Sequence, residues 1–329
     1  MATNLDLTPW RESPRGVGYR RWAIVATGLR DLFRAKLPML LLTVGWSGGV
    51  LLAIVGFLLT QSISSGGWLE TLASNFGARA EATVTVLGGF IALYPDVCIG
   101  GLFTLLFWLH SFLGLGLSLV ALTVLVPRLI ARDRASNALT VYLSRPLTSG
   151  DYLLGKLGMI VGVLLLMWTG PLVLGWTLSM LLAPDRDFIV YSFGPFLHAL
   201  AFNGIALVVL AAAALGVSAL NRVASSAVAA WILLWIVAGA VANIPKCPVE
   251  LQRVSFSRNL SEVRQQVFRL DRALTDAATK LPLLGDDTTR NLKQSGDKVR
   301  ATDFDGALAS LGILTLLSSA VFLRKLRPE

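Results

Sequence analysis

An all-α membrane protein with six transmembrane helices is the fold class this sequence predicts, and three observations predict it. Apolar residues make up 54% of the 329 positions and charged residues only 15%, against roughly 45–50% and about 25% in soluble domains. The apolar residues gather into uncharged runs near or above the roughly 20 residues that cross a bilayer as a helix. Lys and Arg concentrate in alternate connections between those runs, the asymmetry that marks the cytoplasmic side. The two cysteines, Cys98 and Cys247, are too few for a disulfide framework or a Cys-rich metal site. A net charge of +9 would suggest nucleic acid in a soluble chain. Here basic residues beside anionic membrane lipid account for it, and no nucleic-acid partner is expected.

Residues 1–16 carry no ordering pattern. From 19 to 36, Trp22, Val25, Leu29, Leu32 and Phe33 recur at helical spacing with Arg20, Arg21, Arg30 and Arg34 between them. That pattern fits an N-terminal interfacial helix, apolar face down in the headgroup region, or a plain basic flank that orients the first span. Span one is 37–60, too long for a signal-peptide core of about 7–15 residues, so no cleavable leader is expected. The segment 61–97 carries Glu70, Arg79, Glu81 and Asp96, and its apolar piece 84–93 is too short to cross and is expected at the outer interface. Span two is 98–126, interrupted only by His110. Span three is 157–182, with a kink expected at Pro171. Asp185, Arg186 and Asp187 make an outer loop, Pro195 opens span four at 196–220, Asn221 and Arg222 form an inner turn, and 223–244 is span five. In 245–304, Leu260, Val263, Val267, Leu270, Leu274 and Leu281 recur at three- and four-residue steps. They predict an amphipathic helical outer loop, started by Asn259 with Glu262 as its capping partner, that packs on the outer surface or on a second copy. Span six is 306–323, and 324–329 close the chain.

These segments divide the protein into a cytoplasmic tail with the interfacial helix (1–36), five spans interrupted by a basic loop at 127–156 (37–244), the extracytoplasmic helical loop (245–304), and the sixth span with a cytoplasmic tail (305–329). On this topology the cytoplasmic segments hold 16 Lys and Arg against 6 Asp and Glu, and the outer segments 13 against 14. The basic excess is therefore all inside, and both termini are expected in the cytoplasm of a multi-pass plasma-membrane protein, the cytoplasmic membrane of a bacterium.

Within the basic loop, 132–143 has helix-compatible composition, with Leu139, Tyr142 and Leu143 on one side and Arg132, Asp133 and Arg134 at its start. Arg145-Pro146 ends it, because the residue before proline is pushed out of the α region. The expected element is a short helix held crosswise at the cytoplasmic surface between spans two and three. This stretch resembles the first cytoplasmic loop of type-2 ABC transporter permeases, the membrane subunits of many ATP-driven exporters. Asp133-Arg134 stands for that loop's charged cluster, Leu139 for its Leu, Leu143-Ser144-Arg145-Pro146 for its Ser-Arg-Pro end, and Leu153-Leu154-Gly155-Lys156 for its close. Asn137 and Ala138 stand where Gly-Thr is usual, and Tyr142 where Leu is. The resemblance implies a cytoplasmic coupling helix that docks on a separate ABC ATPase subunit through Arg132, Asp133, Arg134, Asn137, Leu139, Tyr142 and Arg145. It also implies a second permease subunit, identical or a paralogue, with ATP and Mg held on the partner ATPase and no cofactor on this chain.

Gly150 to Lys156 fits the first seven positions of a phosphate-binding P-loop, but Leu157 stands where Ser or Thr would ligate magnesium, and no strand precedes it. The six apolar runs contain no Asp, Glu, Lys or Arg, so no proton or sodium pathway is legible. His110 and His198 read as interhelical hydrogen-bonding groups. No metalloprotease, serine-hydrolase or paired-carboxylate pattern is present. The expectation is a permease subunit of an ABC exporter that is not itself an enzyme. The alternatives are a non-transporting membrane scaffold or a membrane-embedded enzyme. The pairs Gly45/Gly49, Gly158/Gly162 and Ala238/Ala242 read as close helix packing within the subunit, and Trp168, Trp176, Trp231 and Trp235 as core fillers or interface anchors. Cys98 and Cys247, both at outer ends of spans, are a candidate disulfide, which requires Cα atoms within about 7 Å.

Overall fold

The computed structural model describes residues 16–63, 68–136, 148–183, 186–242, 252–280 and 285–325, and among them every regular element is a helix. In chain order these are α1 (Val17–Phe33), α2 (Lys36–Ile63), α3 (Trp68–Asn75), α4 (Ala78–Leu93) and α5 (Asp96–Ala135). Helix α6 runs as Ser149–Leu164, a π turn at Leu165–Thr169, and Gly170–Leu181. Then come α7 (Asp187–Leu220), α8 (Ala224–Ala242), α9 (Phe256–Val267), α10 (Leu270–Lys280), α11 (Asp286–Arg300) and α12 (Phe304–Lys325). Helices α2, α5, α6, α7 and α12 are long and apolar enough to cross a membrane, and α8 is a shorter apolar helix. The chain is an all-α, multi-pass membrane protein.

Small residues set how closely these rods approach. Added Cβ atoms on Gly45 and Gly49 of α2 would stand 2.6 Å from the carbonyl oxygens of Met167 and Pro171 in α6, so the α2/α6 contact tolerates only glycine there. Gly155 and Gly158 of α6 receive Ile24 and Val25 of α1, whose methyl groups would stand 2.8 Å from a Cβ added at either glycine, and Gly162 receives Leu29 at 3.2 Å. The small-residue pairs at 45/49 and 158/162 therefore pack within the subunit, as their spacing predicts. Helix α1 lies along the start of α6, with Arg21 Nε donating to Asp151 Oδ1 at 2.7 Å, while Tyr19 and Trp22 stay exposed. Trp168 and Trp231 are buried core fillers, the first against Gly114 and Phe202.

Pro171 and Pro195 lie inside helices. Neither can donate to the carbonyl four residues back, Met167 for Pro171 and Tyr191 for Pro195. Each of those carbonyls faces a glycine of a neighbouring helix, Gly45 for Met167 and Gly100 for Tyr191. At Pro171 the chain adds the π turn Leu165–Thr169 just before it, a recognised cause of helix bending. Pro195 does not open span four, because α7 already begins at Asp187 and carries the proline internally.

The basic loop also differs from its expectation. Arg132–Ala135 is not the start of a separate crosswise helix: it continues α5 through a π turn at Pro127–Ala131. Likewise α6 starts at Ser149, not at 157, because Thr148 caps it: Thr148 Oγ1 accepts from Asp151 N at 3.1 Å. Residues 137–147 lie outside the described residues.

Among its described residues the 245–304 loop holds three helices, not one, and the helix Phe256–Val267 is capped by Ser255, whose Oγ accepts from Arg258 N at 3.3 Å. Asn259 is instead buried inside that helix, donating to Arg253 O at 2.7 Å. Arg269, with φ 51°, turns the chain between α9 and α10. Helix α9 packs on the protein's own apolar helices: Phe256 meets Trp235 of α8, and Phe268, just past its end, meets Phe202 of α7.

Candidate functional site

The strongest polar cluster lies where α5, α6, α7 and α1 meet at their Arg-rich ends. It begins with a local defect in α5. The chain forms a π turn at Pro127–Ala131, and Ser218 of α7 bonds into it. Its Oγ accepts from Ile130 N at 3.0 Å and Ala131 N at 3.2 Å while donating to Val126 O at 2.8 Å. All of these groups are buried. Removing the hydroxyl deletes three buried hydrogen bonds, each worth about 1 kcal/mol net. Ser218→Ala should therefore destabilise the protein by at least about 2 kcal/mol in detergent unfolding. Ser118→Ala is the comparison, since its hydroxyl donates only to Gly114 O within α5, and it should cost no more than about 1 kcal/mol.

One turn further on, Asp133 is enclosed by α6. Lys156 Nζ lies 2.7 Å from Asp133 Oδ2, and Tyr152 Oη donates to the same oxygen at 2.6 Å. The lysine also donates to Arg128 O at 3.1 Å, and Tyr152 Oη reaches Leu129 O at 3.0 Å. Lys156 and Asp133 side chains are only 11% and 16% exposed, so this ion pair is largely withdrawn from water. Arg134 Nη1 donates to Ala219 O of α7 at 2.8 Å, neutralising a carbonyl at the helix C-terminus. Arg128 Nη1 reaches Asp31 O at the end of α1 at 3.4 Å. Four helix ends are thereby tied together around Ser136 and Thr148, the last described residues on either side of segment 137–147.

Of the residues singled out from sequence, Asp133 and Arg134 thus serve bonds inside the subunit, and Arg132 is exposed at the end of α5. Asn137, Leu139, Tyr142 and Arg145 lie outside the described residues, as does Cys247. Among the described residues Cys98 has no disulfide partner. Gly150 to Lys156, the P-loop-like run, is helical throughout, whereas a phosphate cradle needs a non-helical loop of free N–H groups. His110 Nε2 lies 3.4 Å from Trp168 O, the interhelical bond expected of a membrane histidine. Sequence reasoning missed Ser218, because a serine in an apolar helix is common and its partners lie far away in the chain.

A second cluster, at the other end of the bundle, was also missed. Glu262 of α9 accepts from Arg253 and Arg258, each at 2.8 Å, and Arg253 also bonds Asp303 at 2.9 Å. Glu262 is therefore an ion-pair centre and not a capping side chain. Lys280 pairs with Asp96 at 3.0 Å, and that carboxylate holds the lysine above its ordinary value. No family model and no curated protein matches the chain.

Proposed function

We propose that this protein is the permease subunit of an ABC exporter, with six spans, α8 being the fifth, and with segment 137–147 as the contact for a separate ATPase. The observation that carries the reading is the helix junction. The two helices that lead into and out of that segment are bonded to each other by Asp133, Lys156 and Tyr152, and to α7 and α1 through Arg134, Ser218 and Arg128. A push on the segment would therefore move α5, α6, α7 and α1 as one body. ATP drives such a switch only by favouring one arrangement over the other. The resemblance of Asp133 to Lys156 to a coupling loop supports the same reading, as does the lack of charged residues inside the apolar runs, which leaves the energy source to a partner. A scaffold would not need so rigid a connection between the loop and the spans.

Isolation of the tagged chain from its native membrane in mild detergent tests this. An ATP-hydrolysing subunit should co-purify in stoichiometric amount, and its hydrolysis rate should change on reconstitution with this chain. A chain that purifies without any nucleotide-binding partner would contradict the reading.

A further inference from the structure

At the end of the bundle opposite the junction of Asp133 and Lys156, the start of α5, the first turns of α7 and the turn into α10 line a cleft of about 290 Å³. Its cations are Arg269 and Arg272, its carboxylates Asp96 and Asp276, and half-buried His198 of α7 adds an imidazole. Lys280 takes Asp96 at 3.0 Å. Asp276 follows Arg272 by one helical turn, a spacing at which ion pairs form, yet among the described residues neither Arg269 nor Arg272 has an ion pair or a side-chain hydrogen bond, and both are exposed. Arg253, Arg258 and Arg300 of the same 245–304 loop each meet a carboxylate instead. The cleft therefore holds two cations against one free carboxylate, a surplus of one positive charge.

The backbone supplies a second observation. Arg269 stands at φ 51°, in the left-handed region that glycine or asparagine occupies at least cost after a helix. An arginine there strains the chain, and such strain clusters at ligand sites. The walls also leave room for more than a bare ion. A Cβ added at Gly101 of α5 or Gly194 of α7 would meet nothing within 4 Å, and Val190 and Pro195 line the cleft beside them.

We propose that this cleft binds an organic monocarboxylate. Arg269 and Arg272 hold the carboxylate, His198 adds a hydrogen bond, and the hydrocarbon part lies against Val190 and Pro195. The planar arginine fork matches two carboxylate oxygens, and a single negative charge balances the surplus, which a phosphate dianion would exceed. A bound acid would tie α10 to α5 and α7, adding to the pairing of Lys280 with Asp96. The site depends on neither transport nor an ATPase.

The test titrates the full chain in neutral detergent at pH 7.5 with hexanoate, with hexanamide and with acetate, read by calorimetry and by melting temperature. Hexanoate should bind at least about tenfold tighter than hexanamide, the scale of one charge-assisted contact. It should also bind at least about tenfold tighter than acetate, which lacks four of its methylene groups. Arg269→Gln and Arg272→Gln should each weaken hexanoate binding by about tenfold or more, and Gly194→Val, which fills the cleft without touching a charge, should weaken it as well. Arg290→Gln, an exposed arginine of α11 outside the cleft, should leave it unchanged. If one arginine variant fails to fold, the other variant and the three-ligand comparison still decide. Equal binding of hexanoate and hexanamide, equal binding of hexanoate and acetate, wild-type affinity in either folded arginine variant, or the same loss in Arg290→Gln would overturn the proposal.

Discussion

Asp133→Ala should destabilise the protein by about 3–5 kcal/mol, the cost of leaving one member of a buried ion pair without its partner. The variant leaves the Lys156 ammonium with Arg128 O and no carboxylate, and leaves Tyr152 Oη with Leu129 O. A double-mutant cycle separates this effect from a simple loss of helix contact. Lys156→Met alone strands Asp133 with Tyr152, and the Asp133→Ala/Lys156→Met double variant removes both charges. The double variant should be more stable than the sum of the single losses predicts, by about 1 kcal/mol or more, because neither charge is then stranded. Reversible unfolding in mixed micelles measures all four proteins. Additive losses would show that the two groups do not depend on each other. Substitution of Asp133 is therefore a poor probe of partner binding, since it disturbs the fold before it disturbs any surface.

Glu262→Ala should be comparably damaging, at about 3 kcal/mol, because it strips two arginines of one acceptor. The effect is expected to be local: α9 and the start of α12 share Arg253, so both should lose hydrogen-exchange protection while the α5/α6 junction keeps its own. Arg258→Ala is the comparison. Arg258 is about one-third exposed and spans only one helical turn to Glu262, so its loss should cost no more than about 1 kcal/mol. Equal effects of the two substitutions would show that Glu262 acts only through its pair with Arg258.

Much of the fold was legible because apolar runs and glycine spacing report directly on helices and their contacts. Gly45, Gly49, Gly158 and Gly162 announce close approach, and each meets a neighbouring helix within the subunit. Boundaries were harder where two residues compete for one role. Ser255 and Asn259 are both good capping residues, and only the tertiary bonds of Asn259 to Arg253 O and of Ser255 Oγ to Ala238 O show which one caps α9. Pro195 reads as a helix start until Gly100 of α5 is seen to make room for the Tyr191 carbonyl. The capping box of Thr148 and Asp151 was readable from their spacing alone, and overlooking it placed the start of α6 too late. The junction was legible only as a set of separate residues. Asp133 and Lys156 were both recognised, but that they pair, and that Ser218 bonds into the π turn, depends on which helix faces which. No local pattern encodes that.

Whether segment 137–147 is where an ATPase grips the protein is decided by the affinity of the purified ATPase for this chain, measured in detergent by surface immobilisation, with the substitutions placed in that segment. Leu139→Asp and Tyr142→Ala leave Asp133, Lys156 and Ser218 in place, so the junction should keep its wild-type melting temperature. Lys280→Ala, at the opposite end of the bundle, controls for general damage. The expected result is at least about a tenfold loss of affinity, roughly 1.4 kcal/mol or more, in the Leu139 and Tyr142 variants and none in the Lys280 variant. Wild-type affinity in all three would contradict the assignment of this segment as the ATPase contact.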